Sequence, residues 1–98
     1  MKLDNLQTKL IMFKSINPFD QKLIAEYQSH DQSAIEKKLK LASSTFNTWK
    51  RTTFRHRSDL MKKAATVLRE NREKYAKIMS MEMGKVLSES RAEIDKCA

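Results

Sequence analysis

Residues Ser33 to Trp49 read S-A-I-E-K-K-L-K-L-A-S-S-T-F-N-T-W, and within them Ile35, Leu39, Ala42, Phe46 and Trp49 recur at steps of four, three, four and three. That spacing draws one apolar stripe along a helix, because residues three and four apart share a face. Ser33 and Glu36 compose a capping box for its start, with Asp31 and Ser29 as competing first-turn caps. Trp49 is read as a core anchor at the helix end.

C-terminal to this stretch the helical period continues in three more segments. Thr53 suits an N-cap, and Phe54, Met61, Ala64, Ala65 and Leu68 make the apolar face of a second helix, widened by Leu60. Asn71 is expected to cap a third helix whose Tyr75, Ile78 and Met79 face inward, and Gly84, the only glycine, to end it as a left-handed residue. Val86, Leu87, Ile94, Cys97 and Ala98 describe a fourth helix with no terminating Gly or Pro. N-terminal to the stretch, Asn17-Pro18-Phe19-Asp20-Gln21 is a turn between two short apolar runs, which signals a β-hairpin. Pro18 cannot donate a backbone hydrogen bond and biases Asn17 to extended backbone, so the first strand should stop there and the second resume near Leu23. The expected organisation is a loose leader over about 1–14, a hairpin over about 15–27, and helices over about 31–50, 54–70, 72–83 and 86–98. The fold class is therefore mostly α with a short N-terminal β-hairpin.

Composition agrees: 98 residues, 33% charged, with one Gly and one Pro, describe one small, helix-rich, surface-heavy unit. The lone Cys97 cannot form an internal disulfide and has no ligand spacing with His30 or His56, so a reducing compartment, the cytoplasm, is expected. No apolar run approaches the ~18 residues of a membrane span. His30 and His56 read as exposed or cap residues, and Met61, Met79, Met81 and Met83 as core fillers.

The formal charge of +8 is concentrated between Lys50 and Lys74. There Lys50, Arg51, Arg55, Arg57, Lys62, Lys63, Arg69, Arg72 and Lys74 face only Asp59, Glu70 and Glu73. A solvated face, or a surface that meets an acidic partner, is the favoured reading. A stand-alone basic module binding nucleic acid or a protein partner is the alternative. Nucleic acid is disfavoured because the interleaved aromatics, Phe54 and Tyr75, already belong to the helical stripes.

No catalytic constellation stands among these residues, but their order carries a resemblance. S-I-N-P at Ser15 to Pro18, L-I-A-E-Y at Leu23 to Tyr27, A-S-S-T-F-N-T-W-K at Ala42 to Lys50, R-S-D-L-M-K-K-A at Arg57 to Ala64, E-M-G-K at Glu82 to Lys85 and R-A-E-I-D-K-C-A at Arg91 to Ala98 together resemble the N-terminus of the aldehyde dehydrogenase family. The last two are most similar to succinate-semialdehyde dehydrogenases. The resemblance implies a piece of an α/β enzyme whose hairpin and first helices pack outside a Rossmann-type, NAD(P)-binding domain. It implies NAD or NADP in the intact parent and none bound by this chain, and a family nucleophile and glutamate beyond position 98. No catalytic, cofactor-binding or metal-binding residue is carried over, and Cys97 does not match the nucleophile. Some relatives hold a monovalent cation at positions matching Ser15, Ile16 and Glu93.

The implied partners are the remainder of the subunit and a parent homo-oligomer, with no membrane. The chain alone is expected to be inactive, a fragment, and Met12, three residues before S-I-N-P, marks a possible second start. Without the parent's sheet, the stripes are expected to collapse on one another as a bundle, to self-associate, or to leave the chain partly molten.

Overall fold

Strand β1, Met12–Ile16, pairs antiparallel with β2, Leu23–Gln28, in the register Met12↔Gln28, Phe13↔Tyr27, Lys14↔Glu26 and Ser15↔Ala25. The register shifts between Ser15 and Ile16, and Lys14 and Glu26 form a cross-strand ion pair at 3.3 Å. The structure is a computed structural model describing residues 11–98. Of the expected leader, residues 1–10 lie outside the described residues, whereas Met12 to Lys14 belong to the strand, which starts three residues earlier than the turn chemistry suggests.

The hairpin turn is built from its own side chains. Asn17 Oδ1 accepts from the Phe19 amide at 2.9 Å, and the Asn17 carbonyl from the Gln21 amide at 2.8 Å. Gln21 takes the left-handed conformation, φ 61°, that brings the chain back to Leu23.

Four helices follow: α1, Gln32–Trp49; α2, Phe54–Glu70; α3, Arg72–Met83; and α4, Leu87–Cys97. Asp31 caps α1, its carboxylate accepting from the Ala34 amide at 2.7 Å. This corrects the Ser33–Glu36 capping box: with the helix starting at Gln32, Ser33 already lies in the first turn, and Glu36 accepts from Gln32 Nε2 instead. Thr53 caps α2 as expected, accepting from the His56 amide at 3.2 Å. Asn71 precedes α3 but makes no side-chain cap there. Its Nδ2 donates back to the Val67 carbonyl at 2.9 Å, closing α2. Gly84 ends α3 at φ 70°, its amide bonded to the Ser80 carbonyl.

Helix–helix packing is concentrated among α2, α3 and α4, with α3 and α4 in closest association. The core is small: Ala76, Ser90 and Ile94 are buried. Small side chains at the α3–α4 contact let the backbones approach, and the Ser80 and Ser90 hydroxyls, 2.8 Å apart, satisfy each other. Tyr75 and Met79 are half-buried, but Ile78 is exposed; the buried side of α3 turns on Ala76. The methionine and tryptophan expectations need the same correction. Met61, Met81 and Met83 are exposed, and Trp49 is 42% exposed, because no element lies over the faces that carry them.

No residue of α1 is buried. The described residues span 61 × 47 × 14 Å with a radius of gyration of 19.7 Å, against about 13 Å for a compact chain of this size. The stripes have therefore not collapsed on one another: the described residues form a single layer, and no helix among them is long and apolar enough to cross a membrane. The hairpin is its only sheet among the described residues.

Candidate functional site

Polar side chains converge where the hairpin turn meets the C-terminal end of α3 and the face of α4. Ser15 on β1 donates its hydroxyl to Glu82 Oε1 on α3 at 2.8 Å. Gly84 lies under Pro18, and a Cβ at Gly84 would come within 3.0 Å of the proline Cγ. The left-handed backbone and this close approach both require glycine here. Immediately beyond, Lys85 pairs with Glu93 of α4. That bond raises the Lys85 pKa from its ordinary value, against a smaller opposing effect of desolvation.

Further along, α3 and α4 are tied by two forked arginine contacts. Arg91 donates through Nε and Nη2 to Glu73 at 2.9 and 3.0 Å, and Arg72 donates through the same atoms to Asp95 at 2.8 Å each. The fork matches both carboxylate oxygens at once, which fixes direction as well as distance. The hydrogen bond from Arg91 holds Glu73 below the ordinary carboxylate value, and the nearby charges of Arg91, Arg72 and Lys77 act in the same sense.

A separate cluster closes the α1–α2 corner. Arg57 Nε donates to Thr52 Oγ1 at 2.8 Å, while Nη2 reaches the carbonyls of Trp49, Lys50 and Thr52 at 3.1 to 3.3 Å. Its guanidinium lies 5.7 Å from the ring centres of both Trp49 and Phe54. Composition counted Arg57 as one more surface cation; the signal for its role was the Trp, Thr and Phe that flank it at Trp49, Thr52 and Phe54. No comparable signal marked the Lys85–Glu93 pair.

These arrangements orient elements; none positions a reacting group. Cys97 is exposed at the end of α4. His56 serves through its backbone amide in the α2 cap, with its ring edge-on to Trp49 at 6.4 Å, and His30 is exposed. No cluster of three or more His, Cys, Asp or Glu able to hold a metal occurs among the described residues. Of the positions matched to a cation site, Ser15 is engaged by Glu82 and Glu93 by Lys85. The basic stretch is partly used internally: Arg57 holds carbonyls, Arg72 holds Asp95, and Arg69 donates to the Ala98 carbonyl at 3.0 Å.

Comparison with known proteins places these elements. Residues 6–98 match the aldehyde dehydrogenase family. The chain is 34% identical over 84 residues to a probable succinate-semialdehyde dehydrogenase [NADP(+)] of Synechocystis, covering 86% of this chain and 18% of that protein. It is 36% identical over 83 residues to a 3,6-anhydro-alpha-L-galactose dehydrogenase of a Vibrio species, covering 85% and 17%. It is 31% identical over 87 residues to the succinate-semialdehyde dehydrogenase [NADP(+)] of Saccharomyces cerevisiae, covering 89% and 18%. The chain thus spans less than a fifth of the length of these relatives.

Proposed function

The chain belongs to the aldehyde dehydrogenase family, and from that premise we propose that it is the N-terminal scaffold of an NAD(P)-dependent dehydrogenase that oxidises succinate semialdehyde to succinate. The observation that carries the reading is the extent of the similarity: nearly the whole chain aligns with proteins from Synechocystis and from Saccharomyces cerevisiae that both carry the succinate-semialdehyde name. The residues support a structural part. The Ser80 and Ser90 hydroxyls, the forked arginines with their carboxylates, and the Lys85–Glu93 pair are each satisfied within the chain, with no buried side-chain polar atom left unpartnered among the described residues. Groups so engaged hold helices in place, and a general base or nucleophile needs a free, aimed atom.

In this reading the hairpin, α2, α3 and α4 form the outer edge of the NAD(P)-binding domain, and the dinucleotide and the aldehyde are held by residues outside this chain. When bound, NAD(P) would supply the hydride acceptor for oxidation of the aldehyde. The contribution of Arg72, Arg91, Glu73 and Asp95 is to fix α3 against α4. The parent is a homo-oligomer in the cytoplasm, a location supported by the lone unpaired cysteine.

The test is to capture the native protein from its source cells with an antibody raised against Gln32 to Trp49. The captured material is then assayed for reduced nicotinamide with NAD and NADP, offering succinate semialdehyde, malonate semialdehyde and 3,6-anhydrogalactose in turn. The reading predicts cofactor reduction that is fastest with succinate semialdehyde. Intact captured protein that reduces neither cofactor with any of these aldehydes would overturn it.

A further inference from the structure

Between Trp49, the last residue of α1, and Phe54, the first of α2, the chain turns through Lys50 to Thr53. A connection of that length can hold two helices at many angles, because each residue has two soft backbone dihedrals. At this corner the carbonyls of the connection run to a single residue. Arg57, at the end of the first turn of α2, donates through Nη2 to the carbonyls of Trp49, Lys50 and Thr52, and through Nε to Thr52 Oγ1. Its backbone amide donates to the Thr53 carbonyl at 3.1 Å. Of the five carbonyls from Trp49 to Thr53, four therefore accept from Arg57.

Thr52 is held from the other side as well, its amide and hydroxyl donating to the Trp49 carbonyl at 3.0 and 2.7 Å. The rings of Trp49, closing α1, and Phe54, opening α2, flank the guanidinium at 5.7 Å each, within the range at which a cation is drawn to an aromatic face. One planar group thus touches both helix ends and the backbone between them. All of these partners lie within residues 49–57, so the corner is complete without any element from elsewhere in the chain or in a longer subunit. Little else in the described residues fixes α1: it has no buried residue, and its packing against other elements is slight.

We propose that Arg57 is a positioning residue that sets the angle between α1 and α2, so that the two helices meet the rest of the subunit as one preset piece. The partner named here rests on the dehydrogenase reading; the corner itself does not. A guanidinium suits the task because its donors point in fixed directions from a plane, whereas an ammonium on a flexible stem fixes no plane. Ordering the corner in advance removes that entropic cost from the docking step.

The test measures the angle directly in the 98-residue chain carrying Cys97→Ser. Spin labels on Lys40→Cys in α1 and Lys63→Cys in α2, both exposed positions, report the distribution of distances between the helices by pulsed electron spin resonance. Circular dichroism establishes that each variant keeps its helicity. The parent should give one narrow distribution. Arg57→Ala and Arg57→Lys should each broaden it roughly twofold, as a freed hinge does. Thr52→Val, which keeps the side-chain shape and removes one acceptor, should broaden it less. Arg55→Ala, at an exposed arginine two residues away, should leave it as narrow as in the parent. If Arg57→Ala loses helicity, Arg57→Lys and Thr52→Val carry the comparison. A broad distribution in the parent overturns the proposal, as do Arg57 variants no wider than Arg55→Ala. No cofactor or aldehyde enters the measurement, so its failure leaves the dehydrogenase reading standing, and failure of the cofactor assay leaves the corner.

Discussion

Arg57 joins two helices through one guanidinium, which satisfies carbonyls at the end of α1 while flanked by the rings of Trp49 and Phe54. Truncating it leaves those carbonyls to solvent and frees the corner, so Arg57→Ala is expected to cost about 1–2 kcal/mol of stability. Arg57→Lys should recover little of it, because an ammonium cannot match the fork. Thermal unfolding followed by circular dichroism measures both. Gly84→Ala should cost about 1–2 kcal/mol through the left-handed backbone alone, before the contact with Pro18 is counted. Glu73 supplies a pH dependence with a definite sign. Its folded-state pKa is depressed from 4.5, so its contribution is fully present above that value and is lost as pH falls through the lower folded-state value. Unfolding midpoints of the parent chain should drop in that acid window, and Arg91→Gln should flatten the drop. Of these residues, the sequence made Gly84 legible because only glycine suits the position. Arg91 was not legible, because its partner is set by how helices meet, and spacing along the chain carries no record of that; Arg57 was readable only from the Trp49, Thr52 and Phe54 that flank it.

At the scale of elements, helix ends were far easier to read than helix faces. Thr53 and Gly84 act locally, within one turn of their own backbone, and both stand where turn and cap chemistry puts them. Asp31 displaced Ser33 because the helix starts at Gln32, which puts Asp31 at the cap position, its side chain accepting from the Ala34 amide, and Ser33 inside the first turn. Faces depend on what covers them. The stripe on α1 is as regular as any in the chain yet covers nothing, whereas α3, with a weaker pattern, supplies buried Ala76. Substitutions should follow burial and ignore periodicity. Ile94→Ala in α4, at a site 6% exposed, is expected to cost about 2–4 kcal/mol. Leu39→Ala in α1 should change the stability of the dilute chain by less than about 0.5 kcal/mol. Urea titrations at low protein concentration compare the two directly.

The described residues form a flat, open arrangement, 14 Å in its thinnest dimension, which accords with the proposed scaffold role. Short-range signals specify each helix and the hairpin, and the family is legible from the order of six short stretches, all of which lie within the residues 6–98 that match it. Substrate and cofactor were not legible in these residues, because none of the six stretches is a substrate- or cofactor-binding motif in itself. The central claim is that this segment contributes architecture and no chemistry, and it can be tested by transplantation. Residues of this chain would replace the matching 87-residue segment of the Saccharomyces cerevisiae succinate-semialdehyde dehydrogenase, and kcat would be measured with succinate semialdehyde and NADP. The account predicts a folded, assembled chimera with kcat within about tenfold of the parent enzyme, a change of about 1.4 kcal/mol or less in the barrier. A folded chimera that has lost turnover by several orders of magnitude, or one that cannot assemble, would contradict it.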